Sequence, residues 1–440
     1  MSREIDIQRE QVFDRDFKVC LRSACTVGNG VIRLSVSEEA KTIELFEAME
    51  EVPSFFIPAS GSGSRMFQAL FTKNDGTVLS DETFNVLKGL PLAEGFLEVS
   101  NDKDRLVAQL LEELACKPKG LIPFHKSGDK IYSAFQEHVV QVSRLFPNGV
   151  KLHFTIQEDF KEEIERNVKE LAEQLGVDVS FSYQSHTSNA YCFDEDQQLI
   201  QEGEQVLRRP AGHGALLENL NRIPEDLVCL KNIDNVQHID HSEPSLRIWK
   251  SAIGLLKQFE AGLADLLEEY SDDAMRLFNE KYQFLSEEEL ANCSKDKLIG
   301  YASRPSRVCG MVKNEGEPGG GPFWIEDHGT VTKQIIEKVQ IADSQKTIVD
   351  QSSHFNPVFL VVSKRDSFGN SLDLNDFRDD SKYFVVRKPH KGREILYREL
   401  PGLWNGSMSN WNTLFLEIPS EVFSPVKSVM DLSKLAHQPQ

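Results

Sequence analysis

The chain has 440 residues, with 49 Lys and Arg against 69 Asp and Glu and a formal net charge of -20. Apolar residues make up 40% and aromatics 9%, enough for a sizeable core and against wholesale disorder. The acidic balance argues against nucleic acid or an anionic membrane surface as partner. It leaves room for one small phosphate ligand held by local cations and backbone N–H groups.

The length allows one large domain with appendages, or two or three smaller ones. Cys20, Cys25, Cys116, Cys192, Cys229, Cys293 and Cys309 are scattered and never in C-x-x-C spacing, so neither a disulfide framework nor a zinc ribbon is expected. The opening residues, Met1-Ser2-Arg3-Glu4-Ile5-Asp6, lack the basic and apolar regions of a signal peptide. No run of about 18 apolar residues occurs. A reducing, cytoplasmic setting is the expectation.

Residues 1–50 read as helical and amphipathic in pieces, with a helix start at Ser35-Val36-Ser37-Glu38-Glu39. Ser54-Phe55-Phe56-Ile57-Pro58 is a short apolar run, as a buried parallel strand requires. A Gly/Ser loop follows, then a helical stretch from Arg65 to Phe71. Strand, glycine-rich turn and helix in that order build a phosphate site in α/β proteins. Helices are predicted over 103–116 and 131–145, a strand over 150–156, a charged helix over 159–175, and strands at 177–183 and 227–230. Strands separated by helices of this length predict a mostly parallel, three-layer α/β sheet. Residues 245–290 lose the strand signal and read as two or more helices. A Gly/Pro-rich patch at 314–322 precedes mixed strands to residue 440.

The segment Pro58-Ala59-Ser60-Gly61-Ser62-Gly63-Ser64-Arg65-Met66 carries the first chemical signal. Small residues let the backbone approach a triphosphate, and the following helix N-terminus adds positive potential. Arg65 would add a forked donor. The pattern is neither a Walker loop nor a dinucleotide fingerprint. Standing alone, the turn has an ordinary structural reading as well.

Later segments, read in order with it, resemble the UDP-sugar pyrophosphorylases, in particular the UDP-N-acetylglucosamine pyrophosphorylase type. The family's G-G-x-G-T-R loop has its counterpart in Ser60-Gly61-Ser62-Gly63-Ser64-Arg65. Pro118-Lys119-Gly120 resembles a phosphate-contacting Pro-Lys-Gly. Arg209-Pro210-Ala211-Gly212-His213-Gly214 resembles the loop that cradles the base, and Ile233-Asp234-Asn235 the Val-Asp-Asn whose aspartate holds the metal. Glu317-Pro318-Gly319 and Phe423-Ser424-Pro425-Val426-Lys427 resemble the family's Glu-Pro-x-Gly and Phe-Ser-Pro-x-Lys. The resemblance implies a Rossmann-like, glycosyltransferase-A-like nucleotidyltransferase core in a divergent bacterial branch. It also implies transfer from a nucleoside triphosphate, UTP by expectation, to a sugar 1-phosphate, with Mg²⁺ and release of pyrophosphate. Ser60 for glycine, Ser64 for threonine and a longer gap from Arg65 to Lys119 depart from the family pattern.

In that chemistry the attacking phosphate is already ionised, so catalysis is positioning plus charge neutralisation. The resemblance then implies Arg65, Lys119 and Lys427 as catalytic cations. It implies Ala59, Ser60, Gly61, Ser62, Gly63, Ser64, Pro210, Gly212 and Gly214 as nucleotide contacts, and Asp234 with Asn356 as metal ligands. Trp404, Asn405, Asn314 and Glu317 offer flat faces and polar groups for the sugar. The expected layout is an N-terminal helical segment (1–50), a nucleotide-binding core (51–240), a helical insertion (241–300) and a sugar-binding part (301–440).

Each site residue has a bland alternative. Lone lysines are ordinarily solvated, Asp234-Asn235 could close a plain turn, and Trp404 and Trp411 could be core. His238 and His241 have a spacing that can face one ion on a helix, but no third ligand is evident nearby. Two rival functions use the same architecture. One is a glycosyltransferase, for which Asp-x-Asp would be expected in place of Ile233-Asp234-Asn235. The other is a non-catalytic nucleotide-sugar-binding protein.

Overall fold

The computed structural model describes residues 2–14, 18–71, 80–97, 102–185, 188–316, 319–327 and 329–440. They form two compact units, each drawn from three stretches of chain.

The unit of residues 46–183, 228–251 and 419–440 is built on parallel strands in the order Leu227–Lys231, Ser54–Pro58, Val150–Ile156 and Val177–Tyr183. The central strands are apolar without alternation: Phe55, Phe56, Ile57, Leu152, Phe154 and Val228 are all buried, as a sheet covered on both faces demands. Helix Ala134–Leu145 leads into the third strand, its start fixed by a capping box between Ser133 and Gln136. Helix Lys161–Leu175 buries Ile164, Val168 and Ala172 at fourfold spacing and stops at Gly176, which takes the left-handed conformation at φ 67°. Phe135 packs edge-on against Phe154, with ring centroids 4.8 Å apart, and so seats its helix on the sheet.

The other unit holds residues 1–45, 184–227 and 252–418. Its main strands run Thr26–Val27, Gly30–Ile32, Asn412–Glu417, Ser306–Lys313 and Phe359–Ser363. All pairings are parallel except the last, where Ser306–Lys313 meets Phe359–Ser363 antiparallel. It also holds an antiparallel trio, Cys20–Ala24, Gly321–Asp327 and Thr330–Ile336, and the hairpin Phe384–His390 with Arg393–Glu399. Helices Glu243–Glu268, Asp272–Tyr282 and Glu287–Ala291 occupy the 245–290 stretch that lacked strand signal, the first of them beginning in the unit above, and Lys295–Ala302 follows. The fold is α/β with mostly parallel strands, as the alternation of elements predicts.

Residues 1–50 are helical at Ser2–Phe13 and Val36–Ala48, the second capped reciprocally by Ser35 and Glu38. The residues between differ from expectation. Cys20 to Ile32 form short strands, because Gly28 (φ 85°) and Gly30 (φ 90°) turn the chain and Val31 and Ile32 are buried against the sheet. The 131–145 helix likewise begins only at Ala134; Lys130–Ser133 is a strand paired with Pro123–Ser127. All seven cysteines are free thiols. Among the described residues no helix is long and apolar enough to cross a membrane.

Candidate functional site

The Gly/Ser loop leaves the end of strand Ser54–Pro58 and is tied at both sides. Ala59 N–H donates to the Thr155 carbonyl (2.9 Å), and Gln157 Nε2 donates to the Ser60 carbonyl (2.7 Å). Gly63 N–H donates to Lys117 O (2.8 Å) and Lys119 N–H to Gly61 O (3.1 Å), so the loop and the Pro118-Lys119-Gly120 stretch are laced together. The Ser62 hydroxyl caps the short helix Gly63–Phe67 by accepting from Ser64 N–H. Ser62, Ser64 and Arg65 are exposed, and a Cβ at Gly61 would meet nothing within 4 Å. The loop thus presents an open backbone floor beside hydroxyls and a guanidinium, the kit for phosphate oxygens.

Lys119 is fixed by its backbone to this loop and by its ammonium to Asp234. Its Nζ donates to Asp234 Oδ2 (2.9 Å) and to the Val426 carbonyl (2.6 Å). Lys427 Nζ donates to the same Oδ2 at 3.2 Å. Three residues far apart in sequence therefore meet on one carboxylate. Asp234 follows strand Leu227–Lys231 and is 7% exposed; its Oδ1 is buried without a hydrogen-bond partner. Burial pushes its carboxyl up, but the Lys119 and Lys427 ammoniums outweigh burial, and its pKa lies below the usual aspartate value. The carboxylate is ionised, paired on one oxygen and open on the other. Neighbouring backbone bonds hold it there: Val426 N–H donates to Asp234 O (3.0 Å) and Ser424 N–H to Asn235 Oδ1 (3.0 Å).

Beneath Asp234 lie groups that motif reading did not single out. His138 Nε2 lies 3.0 Å from the Ile233 carbonyl, so that nitrogen carries the proton; burial holds the imidazole down to about 3. Lys231 is fully buried, donates to Gln141 Oε1, and is pushed down to about 7 by burial.

In the other unit, the Arg209–Gly214 loop turns on Gly212 (φ 74°), where a Cβ would overlap Glu399. His213 stacks on Trp404 with ring centroids 4.2 Å apart, and its Nδ1 accepts from Leu403 N–H (2.9 Å). Burial lowers its imidazole to about 4, so it is a neutral packing group at physiological pH. One face of Trp404 is thus taken by His213. Its neighbour Asn405 is 2% exposed; neither Oδ1 nor Nδ2 closes a hydrogen bond, and the buried Glu337 carboxyl faces the amide. Asn356 differs: its Nδ2 donates to Gly310 O (2.9 Å) and its Oδ1 accepts from Val358 N–H (3.0 Å), so both groups are engaged in holding backbone. The Asn314 carboxamide accepts from Gly316 N–H in a turn. Glu317 lies outside the described residues. His241 points to the Gln438 carbonyl, and no group of three or more His, Cys, Asp or Glu side chains is arranged for a metal among the described residues. A cavity of about 660 Å³, lined among others by Arg22, Arg276 and Trp324, contains none of the motif residues.

The model of the family described as "Domain of unknown function (DUF4301)" matches residues 2–98 and 95–438. No curated protein matches the chain by sequence. Among solved structures it is similar to the UDP-N-acetylglucosamine pyrophosphorylase of Trypanosoma brucei, determined in complex with inhibitor. The identity is 14%, covering 93% of this chain and 72% of that one, with a TM-score of 0.51. It is also similar to a mutant UDP-glucose pyrophosphorylase of Leishmania major in complex with UDP-glucose, at 12% identity, 98% and 74% coverage and a TM-score of 0.45. The first likeness establishes a shared fold.

Proposed function

The chain belongs to the DUF4301 family, and we propose that it transfers a nucleotidyl group from a nucleoside triphosphate to a sugar 1-phosphate, releasing pyrophosphate. The observation that carries this reading is the convergence of Lys119 and Lys427 on Asp234 beside the open Gly/Ser loop. Two ammoniums, a half-satisfied carboxylate and a backbone cradle are what a phosphoryl-centre displacement needs, since it requires no enzyme nucleophile. The shared fold supports it.

In this reading the loop from Ala59 to Ser64 binds the triphosphate, with Arg65 on its outer phosphates. Lys119 stands at the α-phosphate, where its twofold anchoring fixes its charge. Lys427, whose side chain is 60% exposed, swings from Asp234 to the sugar phosphate at little cost. The sugar phosphate oxygen then attacks the α-phosphorus in line, and pyrophosphate leaves toward Arg65. Pro210, Gly212, Gly214 and Asn405 belong to the other unit, and a role for them in holding the base, uracil by expectation, and the sugar rests on the resemblance alone. Asp234 fits Mg²⁺, because its orphaned Oδ1 is the hard oxygen donor such an ion prefers. The ion, when bound, would neutralise phosphate charge. With the Asn356 amide engaged elsewhere, the metal assignment rests on Asp234.

A grid of nucleoside triphosphates against sugar 1-phosphates, assayed for pyrophosphate with Mg²⁺, tests the proposal. One productive pair names both substrates. Nucleotide binding with a silent grid would replace this reading with the non-catalytic one.

A further inference from the structure

The unit that carries Lys427 contains a row of buried titratable side chains that the proposed reaction leaves unused. His125, from strand Pro123–Ser127, is fully buried; its Nδ1 lies 2.8 Å from Glu137 Oε1 and its Nε2 lies 2.9 Å from His437 Nδ1. The His125 and His437 rings are nearly parallel, with centroids 5.1 Å apart. His437 makes no closed hydrogen bond through Nε2, and the backbone carbonyl of Ser424 faces its ring. The row therefore starts on helix Ala134–Leu145 and ends on His437, whose ring faces the carbonyl of Ser424, three residues before Lys427.

Its protons can be arranged in two ways. In the first, the Glu137 acid donates to His125 Nδ1, His125 Nε2–H donates to His437 Nδ1, and His437 Nε2–H is aimed at the Ser424 carbonyl. Removing one proton reverses every bond. Glu137 then accepts from His125 Nδ1–H, His125 Nε2 accepts from His437 Nδ1–H, and a bare His437 Nε2 faces the carbonyl lone pairs. Burial favours the first arrangement, since it pushes Glu137 up to about 8 and holds both imidazoles down to about 3.

Apart from the Lys119 ammonium on the Val426 carbonyl, the other ties named for this segment lead to one loop. Val426 and Ser424 bind Asp234 and Asn235, the Ala436 carbonyl accepts from His238 N–H, and the Gln438 carbonyl meets His241. The row from Glu137 ties the segment to a helix instead. We propose that Glu137, His125 and His437 are positioning residues, a one-proton chain that fastens the segment bearing Val426 and Lys427 and loosens it when that proton is lost. The charged and titratable groups that face the row are His138 on the helix, Lys231 on its strand, His238 on the loop, and Asp431 and Lys434 on the segment itself. The consequence for turnover rests on the reaction proposed above; the fastening does not.

The test is amide exchange of residues 424–438 in the full chain from pH 6 to 9.5, corrected for intrinsic rates, beside kcat for pyrophosphate release. The wild type is expected to exchange the Val426 and His437 amides about tenfold faster above the titration than below it. Glu137→Gln, whose amide N–H can donate to His125 Nδ1 and cannot titrate, is expected to stay slow at every pH and to lose the step in kcat. His437→Phe, which keeps ring volume without the bonds, is expected to exchange fast throughout. A pH step that persists in Glu137→Gln, or slow exchange in His437→Phe, overturns the proposal. Because exchange needs no substrate, a chain that responds as expected yet turns over no substrate pair would keep the fastening and remove only the reaction.

Discussion

Lys119 Nζ donates to Asp234 Oδ2 at 2.9 Å across 115 positions of sequence, and the same ammonium holds the Val426 carbonyl beside Lys427. One lysine thus joins the Gly/Ser loop, the turn after a central strand and the late segment into a single electrostatic unit.

Asp234→Asn is expected to lower pyrophosphate release at least about a hundredfold, because it removes the charge that aligns both lysines and the oxygen offered to Mg²⁺. Circular dichroism should show an unchanged fold. Wild-type turnover in this variant, measured over a Mg²⁺ series, would refute the metal assignment.

The two lysines should separate when stability and turnover are measured on the same preparations. Lys119→Ala removes a mostly buried donor from two acceptors and should cost about 1.5–3 kcal/mol in urea denaturation. Lys427→Ala removes a largely exposed partner and should leave the urea midpoint nearly unchanged. Both should depress turnover.

Gly120 and Gly61 lie on facing stretches and should respond oppositely to alanine. A Cβ at Gly120 falls 2.3 Å from the Phe135 ring, so Gly120→Ala should cost about 1–3 kcal/mol. Gly61→Ala meets nothing within 4 Å and should fold normally, while raising KM for the triphosphate by crowding the open floor. Equal melting temperatures for the two variants would contradict the packing described.

Asn405→Leu should change stability by no more than about 1 kcal/mol, since its amide closes no hydrogen bond and faces only the Glu337 carboxyl. Its cost should appear in KM for the sugar 1-phosphate. A strongly destabilised variant would show that the amide serves the fold instead.

Stability should rise as pH increases from about 3 to 6.5. His125, His138 and His437 are neutral in the fold down to about 3, so the unfolded chain binds more protons across that window. Glu137 acts with the opposite sign. Its folded value near 8 lies above its unfolded one, so its contribution is full at acid pH and fades as pH climbs toward 8. The three imidazoles outweigh it below 6.5. Urea midpoints at pH 4.5 and 6.5 check the sign, and His138→Gln should flatten the slope.

The strands at 54–58, 150–156 and 177–183 were legible because a parallel strand buried on both faces writes itself as an unbroken apolar run. Helix Lys161–Leu175 was legible from its fourfold spacing. The strands between Cys20 and Ile32 were not, because their pairing partners lie roughly three to four hundred residues away, at 321–327 and 412–417. Short motifs pointed to Lys119, Asp234 and Lys427, and the fold brings these together. The Glu137–His125–His437 row carried no motif: residue types that ordinarily face water are read as surface unless three-dimensional burial is known. Asn356 and Asn314 show the converse, since an asparagine beside a turn serves its own backbone as readily as a ligand.

Residues 419–440 are translated after every other part of their unit, and they alone supply Lys427, the Val426 carbonyl and His437. A ribosome-bound chain that stops short of them holds Asp234 opposite a single lysine and leaves His125 without its neighbour. The second ammonium on Asp234 and the far end of the buried row are therefore supplied only when synthesis of the unit is finished.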